Sequence, residues 1–429
     1  MTKYWFSAVA LVLSLSVGAE DGFDEGFDDE EIDIVIAPPE NSKGELYGSI
    51  ELETHYNVSN EKDLSSLKTL VDILGDYKFN NGAKLSGNLK GYHDIVYELE
   101  NRAVPDGYES EIDLNELNLE LEISPNLDLK IGRQVVVWGK SDSIRITDIL
   151  NPLDNRIPGL VDIKNLRLGR MMSKLDYYVD DLNLSIIVLH ENRFSKNPRK
   201  DSDFSSLTIG ANDLVIIQPT DSLDNTSLAF SLTGAFKGYD LGFYFADIYI
   251  DKPYLKNNIL HYDNKSKMLG FAYNQVIDSF LLKTEIAHFD NINYNNVSTN
   301  KARTDLLLGV EYSGINDGSI GYEIVRRTIH NYEDLIKVKS NGYKPKNEYQ
   351  QVLRFSQSYL NQTLDFSSVL SLFGSAGQDG GSARVELDYA IDDQISMSIG
   401  AIDYLSGNNA TIDSYKDNDR IFAKLNYAF

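Results

Sequence analysis

From Gly44 to the C-terminus, apolar and polar residues alternate with a period of two, the spacing of a strand with two unlike faces rather than of a helix. Val71, Ile73, Gly75, Tyr77 and Phe79 share one face, with Lys68, Asp72, Asp76 and Lys78 on the other. Ala83, Leu85, Leu89, Ile95, Tyr97 and Leu99 oppose Lys84, Lys90, Asp94 and Glu98. Leu117, Leu119, Leu121 and Ile123 oppose Glu116, Asn118, Glu120 and Glu122. Soluble sandwiches alternate too, but in strands of about five or six residues. These segments run to about ten or more, the length of a tilted strand crossing a bilayer.

Connector lengths alternate as well. Short turns, such as Asn80-Asn81-Gly82, Ser124-Pro125-Asn126 and Ile391-Asp392-Asp393, take turns with long polar connectors such as Glu191 to Asn225 and His330 to Asn347. Short turns at one end and long loops at the other are the pattern of an antiparallel up-and-down transmembrane β-barrel. Strands are predicted near 44–56, 66–80, 83–99, 112–123, 127–138, 166–178, 181–190, 226–236 and 239–250. Nine more follow near 266–275, 279–289, 302–312, 318–329, 348–360, 363–372, 381–391, 394–404 and 418–429. The count is about 18, an even number that brings both strand ends to the periplasmic side. Sixteen is the alternative, because the strands near 226–250 are apolar on both faces and hard to register.

The N-terminus fits that compartment. Lys3, the apolar stretch Tyr4 to Leu15 and the small residues Val17-Gly18-Ala19 read as a signal peptide over 1–19, cleaved on export. No later apolar run is long enough to span a bilayer as a helix. Residues 20–43 form an acidic leader, with ten acidic and no basic residues between Glu20 and Glu40, expected to be disordered. The barrel occupies 44–429, giving a protein of the Gram-negative cell outer membrane. The chain carries −25 over 429 residues, and −16 remains without the leader and Lys3. That sign excludes a general nucleic-acid binder. Cysteine is absent, so disulfides and thiolate sites are excluded. The six histidines are scattered, with no G-x-S-x-G or H-E-x-x-H motif, so no enzyme, metal site or cofactor is expected. The 26 tyrosines suit aromatic girdles against outer-membrane lipids.

Two segments carry further signals. In the last strand Ile421, Ala423, Leu425, Tyr427 and Phe429 form one apolar face. It resembles the C-terminal assembly signal of outer-membrane proteins, with Tyr427 and Phe429 as its aromatic end, which implies the barrel-assembly machinery as a partner. Then the connector Lys140 to Asn165, the third outward loop, holds Ile144, Ile146, Ile149, Leu150, Leu153, Leu160 and Val161 and is too apolar to lie free in water. It is expected to fold into the lumen and narrow it. Between Asp128 and Arg170 the balance is +3. Arg133, Lys140, Arg145, Asp148, Asp154, Arg156, Lys164, Arg167 and Arg170 are therefore the candidate constriction and solute-binding residues. Arginines there either favour anionic solutes or pair with the nearby aspartates to hold the loop. Arg133 shares its alternate set with Leu129 and Ile131, so an inward placement requires a bulge at Gly132.

Gly132-Arg133-Gln134, Trp138-Gly139, Asn151-Pro152-x-Asp154 and Pro158-Gly159 together resemble a family of uncharacterised proteobacterial outer-membrane porin-like proteins, filed under a domain of unknown function. The Gly-Arg-Gln start is also similar to alginate-export barrels, which have eighteen strands and an arginine-lined anion path. The resemblance implies transport. It points to a channel for passive or partner-coupled passage of small solutes, anions among them. The alternative is an export component whose acidic leader docks a periplasmic or inner-membrane transporter partner.

Overall fold

The computed structural model describes residues 43–59, 63–205, 214–338, 342 and 344–429. The expected signal peptide and nearly all of the acidic leader lie outside them. Eighteen antiparallel strands form one sheet: β1 (Gly44–Asn57), β2 (Leu64–Lys78), β3 (Lys84–Asp94), β4 (Ser110–Ser124), β5 (Leu127–Gln134), β6 (Arg170–Val179), β7 (Leu182–Leu189), β8 (Ser227–Phe236) and β9 (Tyr239–Tyr249). The second half comprises β10 (Lys265–Ile277), β11 (Phe280–Ile292), β12 (Lys301–Ile315), β13 (Gly318–Ile329), β14 (Asn347–Tyr359), β15 (Leu364–Phe373), β16 (Gly380–Ala390), β17 (Ile395–Leu405) and β18 (Arg420–Ala428). Each pairs with its neighbours in sequence, and β1 pairs with β18 from Ser49–Ala428 to Asn57–Arg420, so the sheet closes. The terminal residue completes the seam: Phe429 N donates to Gly48 O at 2.9 Å and Gly48 N to Phe429 O at 3.0 Å. Closure satisfies every strand edge, which a sheet in hydrocarbon requires.

The alternation sorts residues by solvent. Leu46, Ile50 and Leu52 on β1, Leu117 and Ile123 on β4, and Ile421, Leu425 and Tyr427 on β18 are exposed on the outer face. Their neighbours in sequence, such as Glu53, His55, Asn118 and Arg420, are buried inside. Turns at one end are short, two residues between β4 and β5 or between β8 and β9. Several are closed by residues in the left-handed region, such as Asp180 (φ 51°) and Asp317 (φ 51°), as tight hairpins demand. Predicted ends differ most at three places. The strand expected to run to 99 stops at Asp94 and passes into a helical turn, Val96–Leu99, the strand expected to reach 138 stops at Gln134, and the strand expected from 166 begins at Arg170. At the long-loop end, Val215–Ile217, Tyr254–Lys256 and Ile259–His261 form a separate three-stranded sheet.

The inner face is not uniformly polar. On β7 to β11 it presents Ile187, Ala229, Ala246, Met268, Ala272, Ala287 and Phe289, all buried. Those strands are apolar on both faces because lipid contacts one and the third outward loop covers the other.

Candidate channel constriction

The third loop (135–169) leaves β5 and is pinned at its neck by one side chain. Asn151 Oδ1 accepts from Val136 N at 2.8 Å, and its Nδ2 donates to Gln134 O at 3.2 Å and Leu168 O at 2.9 Å. Both ends of the loop are thereby held to the same amide. Trp138 then stacks on Tyr244 of β9, with centroids 4.9 Å apart. Gly139 follows at φ +87°, where a Cβ would lie 2.5 Å from Thr147 Oγ1 and 2.7 Å from Glu285 Oε1, so no larger residue fits.

Two wall carboxylates seize the advancing loop. Glu285 of β11 accepts from Lys140 N at 2.6 Å and Ser141 N at 2.8 Å through one oxygen. Its other oxygen accepts from Thr147 Oγ1 at 2.6 Å and Thr147 N at 3.4 Å. Glu323 of β13 accepts from Ser141 Oγ at 2.6 Å, Asp142 N at 3.1 Å and Ser143 N at 3.3 Å. Ile144 and Ile146 pack on Leu307, Val325 and Val352 of β12 to β14. The loop then crosses back. Tyr404 of β17 donates to Pro158 O at 2.5 Å, Leu160 packs on Ile402 and Phe422, and Asp162 meets Arg384 at 2.5 Å and Arg354 at 3.1 Å. Burial would raise the Asp162 carboxyl, but Arg384 and Arg354 outweigh it and hold it below the usual range. Touching strands from β9 round to β18, the loop forms a shelf across the lumen.

The candidate charges are mostly consumed in holding that shelf. Asp148 takes both Arg145 and Arg167, each at 2.9 Å. Arg156 pairs with Asp154 and with Glu111 at 2.7 Å, and lies over the rings of Tyr92 and Tyr108. Burial disfavours its charge, yet the hydrogen bond and charge of Asp154 raise its pKa. Lys140 reaches Asp240 at 2.9 Å. Arg170 is buried, donating to Leu150 O at 3.0 Å and Glu191 O at 2.8 Å. Lys164 is exposed on the helical turn Ile163–Leu166.

Arg133 requires a correction. Gly132 adopts φ +134°, where a Cβ would come within 2.2 Å of Leu117 O, but the pairing runs unbroken through it, with no bulge. Arg133 therefore stays on the outward set with Ile131 and bonds Glu191 at 2.5 Å and Leu114 O at 3.1 Å. It braces the rim and does not face the lumen. Tyr427 and Phe429 lie outward at the β1–β18 seam. Glu285, Glu323 and Arg384 have no distinguishing signal in sequence beyond being charges at inward positions of strands.

On the short-turn side of the shelf, inward charges remain wetted. Lys84 sits 3.2 Å from Asp76 and Lys90 3.6 Å from Asp72, with the two lysine side chains 40% and 42% exposed. On the long-loop side, Arg303 and Arg327 of the inner wall lie around Asp305, and Arg327 and Lys344 around Glu348.

Residues 53–429 match the family described as a protein of unknown function, DUF1302, and the chain belongs to that family. No functionally curated protein matches it. The barrel is similar to that of Acinetobacter baumannii OccAB3, with a TM-score of 0.56 at 10% identity over 90% of this chain and 99% of that one. It is also similar to Pseudomonas aeruginosa OpdK, crystallised with vanillate (TM-score 0.51, 11% identity, 90% and 98% covered). A third similar structure is P. aeruginosa OccK2 in complex with glucuronate (TM-score 0.52, 12% identity, 90% and 97% covered). At such identities the likeness is one of fold.

Proposed function

We propose that this DUF1302 chain forms an outer-membrane channel for small solutes, anions among them, narrowed by its third outward loop. The observation that carries the reading is the pairing of an apolar jacket with solvent-exposed charges inside the closed wall. Lys84 and Lys90 are wetted although they face inward, and water reaches them only through the lumen. An 18-stranded barrel is wide enough for an aqueous path beside a folded-in loop. The loop is tied by buried carboxylates and apolar contacts on both sides of its crossing, which suits a fixed size filter better than a plug that must leave. Vanillate and glucuronate, held by two barrels of similar fold, are both carboxylates and favour the anionic part of the reading.

Planar-bilayer recording of the purified full chain tests it. Discrete conductance steps, with sugars above a size limit failing to enter, are expected. A folded barrel that passes no ion current at any voltage or salt concentration would refute the proposal.

A further inference from the structure

The described part of the fourth outward loop, residues 190–205, runs over the shelf. Lys196 N donates to Leu153 O at 2.9 Å and Asn155 N to Lys196 O at 2.7 Å, so loop and shelf are joined backbone to backbone. Farther on, Arg199 N donates to the Tyr108 hydroxyl at 3.2 Å. The chain then meets the inner wall at β17 and β18 and inserts Asp203 and Phe204, with Phe204 only 2% exposed.

The socket that receives these two residues has the parts of a ligand site. Tyr404 and Tyr415 meet the Phe204 ring edge-on, with centroids 5.3 and 5.5 Å away. Leu160 of the shelf, Ile402 and Phe422 complete the apolar side. The Arg420 guanidinium lies over the same ring at 4.7 Å and reaches the Asp203 carboxylate at 3.3 Å. One buried arginine thus meets both a ring and the carboxylate next to it. Asn418 Nδ2 donates to Asp203 O at 2.8 Å. Arg102 stands 3.8 Å from the other Asp203 oxygen and pairs with Asp63. Asp419 accepts from Tyr404 N and the Ser59 hydroxyl, each at 2.7 Å. Two arginines therefore stand against Asp63, Asp203 and Asp419, and Asp203 is the carboxylate that serves Arg420. If Asp203 leaves with nothing in its place, Arg420 is left as a buried charge without a carboxylate, a costly state.

We propose that Asp203 and Phe204 occupy a solute site as a built-in stand-in. The socket binds a small anion that carries its carboxylate on an aromatic ring, and this anion displaces the pair and frees the fourth loop from the shelf. Exchange of one carboxylate and one ring for another leaves the charge balance unchanged. Because the stand-in is tethered, it holds the socket until free solute matches its effective concentration, on the order of millimolar for a short flexible link. Phe204 contacts Leu160 on the shelf, so the site lies at the outer entrance to the constriction.

The site rests on the channel reading, but its test needs no current. The full-length barrel in detergent is treated briefly with trypsin, and cleavage after Arg199 and Lys200, just before the inserted pair, is followed by mass spectrometry. Sodium benzoate, sodium acetate or neutral benzyl alcohol is added at about 10 mM, above the tether's effective concentration. Benzoate is expected to speed wild-type cleavage there several-fold, with cleavage after Lys256, an exposed residue of another outward loop, unchanged. Acetate and benzyl alcohol should do neither. Asp203→Asn should be cut faster without solute and should respond to less benzoate, because its hold on Arg420 is weaker. Unheated gel mobility verifies that each protein is a folded barrel. Wild-type cleavage indifferent to benzoate overturns the site. Equal acceleration by acetate overturns the ring, and equal acceleration by benzyl alcohol overturns the carboxylate. A conducting barrel whose loop ignores benzoate loses the site and keeps the channel, whereas a silent barrel whose loop opens to benzoate loses the channel alone.

Discussion

Replacing Glu285 by alanine removes the acceptor for three loop amides and one hydroxyl at a side chain only 1% exposed. A hydrogen bond to a charged partner contributes about 1.5–3 kcal/mol. Four of them would reach about 6–12 kcal/mol if they added, but they share two oxygens and neighbours do not add. Water filling the vacated space recovers part, so a net loss of about 3–5 kcal/mol of loop docking is expected, the range seen when a buried charged contact is broken. Against this, full burial of Ile144, Ile146 and Leu150 retains about 5–9 kcal/mol. The loop should therefore stay docked on average while its undocked fraction rises on the order of a hundred- to several-thousand-fold. Single-channel recording reads that fraction directly, as brief openings of larger conductance on a noisier baseline. Wild-type noise and conductance in Glu285→Ala, and also in the double variant with Glu323→Ala, would refute the claim that these carboxylates hold the shelf.

Other perturbations follow from the same geometry. Asn151→Ala frees both ends of the loop neck and should lower barrel stability by about 2–4 kcal/mol, read as a lower temperature for loss of the folded band on gels. Gly139→Ala should cost at least about 1–2 kcal/mol from its left-handed backbone, with more from the collision with Thr147 and Glu285; wild-type melting would contradict that. The Asp162 pair predicts a sign with pH. Its carboxyl is depressed by Arg384 and Arg354, so the stabilisation is complete above the ordinary value of 3.8 and lost as pH falls below it through the depressed value. Acid unfolding of Asp162→Asn should therefore lack part of the wild-type slope below about pH 4. Arg145→Ala strands Asp148 with Arg167 alone and should loosen the loop. A clean change in ion selectivity without added current noise would instead show that Arg145 faces solutes.

The sequence alone determined the barrel, because the two solvents impose themselves residue by residue. Lipid outside and water or polar loop inside turn every strand into an alternation, and the unequal ends turn every pair into a short or long connector. The strands expected by pattern coincide with β1 to β18 to within a few residues at most ends. The apolar third loop was legible for the same reason: seven large aliphatic residues in a nominal loop must cover something. What it covers was not. The inner alanines of β8 to β11 read as an ambiguous pattern until the loop lies on them. Glu285 and the Lys140 amide are far apart in sequence and meet only through closure of the wall. Arg145, Arg156 and Arg167 look like free cations in a list of residues and become braces once Asp148, Asp154 and Glu111 stand beside them. Periodicity records what each residue's immediate surroundings demand. Which charges cancel is a matter of distances across the lumen, and those exist only after the sheet has closed.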